Sequence, residues 1–133
     1  MQRVDDLIGK PFKDGGRGPD AYDCWGLVRE VYMRYGVDLP DYQGCCYDFM
    51  RFYQGFLDER PRWKKVEPPD IPVPSIVAIR FNSPVINHVG VYVCEDKFLH
   101  TREKTGAVLE CIRSPAWRHR LEGFYTWPSH LHT

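Results

Sequence analysis

From residue 75 onward the chain alternates short runs of β-branched and aromatic residues with turn residues, a pattern that commits this half to a sheet. The runs are 75–81, 88–93, 98–101, 108–113 and 123–127. Before them the period changes. Cys24, Val28, Val31 and Tyr35 are spaced by four, three and four, which is one face of a helix. The stretch 15–18, GGRG, makes a flexible turn, Asp20 and Asp23 offer capping side chains, and Gly36 supplies a stop. A helix is therefore predicted over 24–35. A second is expected over 47–57, with Phe49, Phe52, Tyr53 and Phe56 as its apolar stripe and Gly55 interrupting it. The five prolines and many charges of 60–74 suit an exposed connection. Helices first and a mostly antiparallel sheet of five or six strands afterwards describe an α+β fold. At 133 residues the chain is expected to form a single domain, 1–133, with one core.

Eighteen basic residues balance eighteen acidic ones, so no overall field draws the protein to nucleic acid or to an anionic membrane. Apolar residues at 43% and charged residues at 27% exclude a disordered chain. The first residues, MQRVDDLIGKPF, show no basic stretch followed by an apolar run, and no window approaches the roughly 18 apolar residues a membrane helix needs. Synthesis in the cytoplasm is the expectation. The five cysteines, at 24, 45, 46, 94 and 111, are an odd count without C-x-x-C pairs, so thiols are expected, with no metal centre and no cofactor.

Cys24 lies where the first helix begins, and the positive end of a helix stabilises a thiolate, the reactive form of the side chain. Taken by position alone, a cysteine there is more often a small buried side chain on the apolar face. In the strand His88-Val-Gly-Val-Tyr-Val, alternation puts Val89, Val91 and Val93 on one face and His88, Gly90 and Tyr92 on the other. A three-residue turn at Cys94-Glu95-Asp96 pairs Val93 with Lys97 and sets Gly90 opposite His100. His88 and His100 then become diagonal neighbours, with room left between them by the missing side chain of Gly90. A cysteine, a base and a third group that fixes the base's tautomer make a hydrolytic triad. A two-residue turn would shift the register by one and send His100 to the other face.

Three blocks carry a resemblance to the NlpC-type papain-like peptidases that cut bacterial cell-wall peptides, including versions found in bacteriophage tails. They are Gly15-Gly16 with Tyr22-Asp23-Cys24-Trp25-Gly26-Leu27-Val28, then Gly36-Val37-Asp38-Leu39-Pro40, then His88-Val89-Gly90-Val91-Tyr92 with Phe98-Leu99-His100. In order and spacing they cover residues 8 to 101. The resemblance implies a papain-like fold, Cys24 as nucleophile, His88 as general base and His100 as the residue that orients it. It places Phe12, Tyr22, Asp23 and Trp25 near the substrate, a peptidoglycan stem peptide cut between D-glutamate and the diamino acid. Trp25, where cellular members more often have serine, resembles the phage-tail branch, which implies tail proteins as partners and delivery by a virion tail. Phe12 stands where many members have tyrosine, and Pro74-Ser75-Ile76-Val77 where Pro-Gly-Asp is usual.

Two other functions fit the same residues: a structural tail module that binds without catalysis, and an acyltransferase or amidase using the same cysteine. Cys45 and Cys46 suit packing better than metal binding, and Cys94 and Cys111 lie in or beside strands. His119, His130 and His132 fall in a polar C-terminal stretch and are read as solvated surface.

Overall fold

The computed structural model describes residues 2–42 and 62–127. The expected helix over 47–57 and the Cys45-Cys46 pair lie outside these residues. After a 3-10 turn at Asp5–Leu7 come α1 (Cys24–Arg34), β1 (Lys64–Val66), β2 (Ser75–Ile79), β3 (His88–Cys94), β4 (Lys97–Arg102), β5 (Gly106–Cys111) and β6 (Leu121–Thr126). The strands form one sheet in the order β1-β6-β2-β3-β4-β5, and every pairing in it is antiparallel. The five expected strands are all present, with ends moved by one or two residues. β1 is an addition: three residues of the stretch read as a bare connection pair with the end of β6.

Helix α1 starts where the sequence places it because Asp23 caps it. The Asp23 backbone is extended, and its carboxylate accepts the Gly26 N–H at 2.7 Å. The same oxygen accepts from Arg17 Nη1 at 2.6 Å, and Arg17 also reaches Asp41, so the loop before the helix is tied to its first turn. Gly26 is required there, since a Cβ would collide with the Gly16 carbonyl. At the other end Gly36 takes a φ of 80°, and the N–H of Val37 returns to the Tyr32 carbonyl.

Strand alternation sorts the apolar side chains into two layers. Val89, Val91 and Val93 of β3 join Ile76, Ala78, Leu99 and Tyr125 beneath Leu27, Val28 and Val31 of α1. The opposite face holds Val77, Ile79, Tyr92, Phe98, Phe124 and Trp117. Both sides of the sheet are therefore apolar, which is why β2 is buried at every position.

Three tethers fix the direction of α1. Near its C-terminus the Tyr32 hydroxyl donates to the Pro74 carbonyl, next to Ser75, which is paired with Tyr92 late in β3. Arg34 binds Asp6 and the Arg3 carbonyl, in a segment that lines a small cavity together with Val93 and Cys94. At its N-terminus, Tyr22 N–H donates to Pro11, and Lys10 accepts from Ala107, the partner of Thr101. An eleven-residue helix is about 16 Å long and a seven-residue strand about 23 Å. Anchored in this way, α1 runs in the same sense as β3, and both begin at the same end of the molecule.

Removing the cap tests this anchoring. Asp23→Ala is expected to lower unfolding stability by about 1–2 kcal/mol, because it orphans the Gly26 N–H and takes one of Arg17's two carboxylate partners. Asp23→Asn, which keeps a capping oxygen, should lose less. Urea midpoints of the two variants check the ordering, and equal losses would refute it.

Candidate active site

The register between β3 and β4 decides what the site contains. The turn is Glu95-Asp96, two residues and not the expected three, with Cys94 paired to Lys97 in place of Val93. Asp96 adopts a φ of 62°, a conformation that aspartate tolerates, and its N–H donates to the Tyr92 hydroxyl at 2.7 Å. By itself this shorter turn slips the pairing by one residue. A bulge at Val93 restores it, since the pairs beyond are Tyr92 with Phe98 and Val91 with Leu99. The slip and the bulge cancel, so His100 stays on the face expected from the longer turn.

One step further along the same register, Gly90 comes level with His100. A Cβ on Gly90 would stand 3.2 Å from the His100 Cβ and 2.9 Å from the Leu99 carbonyl oxygen. The gap left by glycine lets the two imidazoles meet: His88 Nε2 and His100 Nδ1 are 2.9 Å apart. His100 Nε2 lies 3.4 Å from a carboxylate oxygen of Glu110, whose neighbour in the ladder is Phe98. The sequence analysis did not single out Glu110. The signal was present as a lone acid in a strand whose alternation puts it on the histidine face.

This chain of contacts has one consistent proton arrangement. An ionised Glu110 can only accept, so His100 carries its proton on Nε2 and offers the Nδ1 lone pair. His88 must then donate from Nε2, which leaves its Nδ1 lone pair open as a base. Both rings are buried, His100 completely. Burial is the main cause that pushes both imidazoles well below their ordinary range, and the Arg102 charge adds to it for each, with His100 adding for His88. The Glu110 carboxylate is partly exposed and at long hydrogen-bond range, too weak to reverse this. Both histidines are thus neutral at neutral pH, the form a base requires.

Cys24 is the first residue of α1 and is buried at the rim of the core layer under the helix. Since α1 and β3 begin at the same end, Cys24 and His88 are leading residues of neighbouring elements. Phe12 is half-buried and bridges to Tyr22. Tyr22 and Asp23 are buried, the latter as the helix cap. Trp25 is only 1% exposed, with its ring stacked on Tyr42 and its Nε1–H given to the Pro40 carbonyl. Cys94 packs at the edge of the core and Cys111 is half-buried at the end of β5. His119 is exposed, and His130 and His132 lie outside the described residues.

A helix led by a cysteine, lying on one antiparallel sheet that carries a buried histidine pair, defines a papain-like α+β domain. The model of the NlpC/P60 family matches residues 9–126, and the chain belongs to that family. It is 28% identical over 111 residues to a probable endopeptidase of Haemophilus influenzae, covering 82% of this chain and 61% of that protein. It is 22% identical over 121 residues to a murein DD-endopeptidase and LD-carboxypeptidase of Escherichia coli, covering 90% of this chain and 57% of the other. This chain thus spans about three-fifths of the length of each. An NLP/P60 family protein of Staphylococcus aureus shares the fold, with a TM-score of 0.65 at 20% identity over 92% of this chain and 38% of that one.

The buried neutral histidines give stability a pH dependence with a definite sign. Unfolded, each imidazole titrates near pH 6.5, whereas folded it resists protonation, so the unfolded chain binds more protons below about pH 6.5. Stability is therefore whole above that value and falls on acidification, by up to about 1.4 kcal/mol per histidine per pH unit. Urea midpoints should drop between pH 7.5 and 5.5, and His100→Asn should shrink the drop. An unchanged drop in that variant counts against the assignment. Gly90→Ala should separate the two rings and remove most of whatever activity the pair supports, measured alongside a thermal melt to show that the fold persists.

Proposed function

We propose that this domain is a cysteine endopeptidase that hydrolyses amide bonds in bacterial peptidoglycan stem peptides. The observation that carries the reading is the directed chain Glu110–His100–His88, which ends in an open imidazole nitrogen at the end of the sheet where α1 begins with Cys24. Endopeptidase and murein endopeptidase are the names borne by the relatives, and the family resemblance of the sequence blocks agrees with them.

In this mechanism His88 Nδ1 takes the Cys24 thiol proton, and the thiolate attacks the scissile carbonyl carbon. The Cys24 backbone N–H, at the leading end of a helix, stabilises the oxyanion. When the tetrahedral intermediate collapses, the C–N bond breaks and the amine leaves with the proton from His88, so a thioester remains on Cys24. Water, giving a proton to His88, then attacks the thioester. The new carboxylic acid departs and the proton returns to the sulfur. Throughout, His100 holds His88 in the tautomer that keeps Nδ1 open, and Glu110 holds His100.

Phe12, which keeps part of its surface exposed, is assigned the substrate contact, while Tyr22, Asp23 and Trp25 hold the loop and helix start that carry Cys24. The bond assigned is the one between D-glutamate and the diamino acid. Trp25 after the cysteine supports a phage-tail setting, in which the chain is made in the cytoplasm and reaches the wall with other tail proteins.

Mass spectrometry of muropeptide digests tests this reading. Wild type should release a new amine and a new carboxyl at one stem-peptide bond, and Cys24→Ala should lower the rate by at least about 10³-fold. Identical digests from the two proteins would remove the hydrolase assignment.

A further inference from the structure

The hydrolytic steps leave unused a group of side chains next to the histidines. Arg102 follows His100 by two residues on the same face of β4. Its guanidinium carbon lies 4.5 Å from the centre of the Phe81 ring and 5.8 Å from that of Trp117. Arg120, just before β6, stands over the same two rings, at 4.8 Å and 5.5 Å. Trp117 lies against His100, and the Phe81 ring lies against Trp117 at 5.8 Å. Phe81 is clamped to Asn87, the residue before His88, by hydrogen bonds of 2.7 and 2.9 Å, and the Trp117 ring centre is 4.6 Å from that of His100.

Two guanidiniums are thus gathered on one aromatic pair, where each ring face attracts a cation but the cations repel one another. Among the described residues neither is matched by a carboxylate. Arg102 Nε is buried without a hydrogen-bond partner, and the polar contact of the Arg120 guanidinium is Asn82 Oδ1 at 3.5 Å. The two unneutralised charges are relieved by a single anion. The planar donor fork of arginine matches a carboxylate, which it binds through two parallel hydrogen bonds. That Arg102 weakens the basicity of both histidines through its charge places it within electrostatic reach of the reacting groups.

We infer that Arg102 and Arg120 form a carboxylate-binding subsite that reads a free carboxylate on the peptide whose amide is presented to Cys24. The inference rests on the hydrolase reading above and adds the chemistry of its substrate. A glutamyl residue joined through one carboxyl keeps the other as an anion, whereas the same peptide with that group amidated is neutral. The subsite discriminates between these two forms.

The experiment uses a synthetic glutamyl–diamino acid peptide in two versions, free acid and amide, with two readouts. In cleavage, wild type should favour the acid by about tenfold or more in kcat/KM, an amount one charged hydrogen-bonded pair supplies. Arg102→Gln should bring that ratio close to one, mainly through KM, Arg120→Gln should reduce it, and Arg102→Lys, which keeps the charge, should retain part of it. In calorimetric binding to Cys24→Ala protein, the same ratio should appear in Kd and collapse when Arg102→Gln is added. Equal Kd values for acid and amide, or a preference that survives in the Arg102→Gln/Arg120→Gln double variant, overturn the subsite. A binding preference for the acid with neither peptide cut by wild type keeps the subsite and overturns the hydrolase reading instead. Should Arg102→Gln fail to fold, Arg120→Gln and Arg102→Lys decide the matter by the same ratio.

Discussion

The 2.9 Å hydrogen bond between His88 and His100 requires that β3 and β4 pair in one register only. A shift of one residue turns His100 over to the α1 side, among the valines of β3, where a polar ring has no partner. Three local features hold the register. The Asp96 N–H donates to Tyr92, the bulge at Val93 absorbs the odd residue of the short turn, and Gly90 leaves the gap that the rings fill. Mutually dependent contacts of this kind make a buried polar pair tolerable, because His88 Nε2 and both nitrogens of His100 face a partner.

Burial then sets the chemistry. In water an imidazole is half-protonated near pH 6.5, but His100 sits against Phe98 and Trp117 and His88 against His100, with Arg102 close by. Desolvation and a neighbouring positive charge act in the same direction, and the partly exposed Glu110 is too distant to oppose them. The carboxylate therefore acts on orientation more than on charge: it selects which nitrogen of His100 carries the proton, and that choice propagates to His88.

The helix that carries Cys24 is held by a separate set of restraints. Asp23 joins three parts of the chain at one carboxylate, capping Gly26 and holding Arg17, which in turn holds Asp41. With the C-terminal tethers at Tyr32 and Arg34, this aligns α1 with β3. The two elements begin at the same end of the molecule even though Cys24 and His88 are 64 positions apart in the chain. Position 25 illustrates how composition can mislead about role: a tryptophan beside Cys24 suggests a surface for substrate, yet its ring is spent on Tyr42 and its N–H on Pro40.

Local chemistry was legible in the sequence. The Asp23 cap, the Gly36 stop and the strand alternation that sets His88 and Gly90 on one face follow from propensity and period, which depend on near neighbours in the chain, whereas His100 was expected on that face from a three-residue turn that the structure replaces by a two-residue turn and a bulge. The resemblance of three short blocks added the family. What only the tertiary structure decided are relations between distant segments: the bulge that rescues a shorter turn, the three-residue strand Lys64–Val66 at the sheet edge, Glu110 behind His100, and the two arginines on Phe81 and Trp117. The physical reason is common to all four. Each depends on where another strand or turn lies across the sheet, and a one-residue change in pairing, invisible in local sequence preference, reverses every side chain that follows.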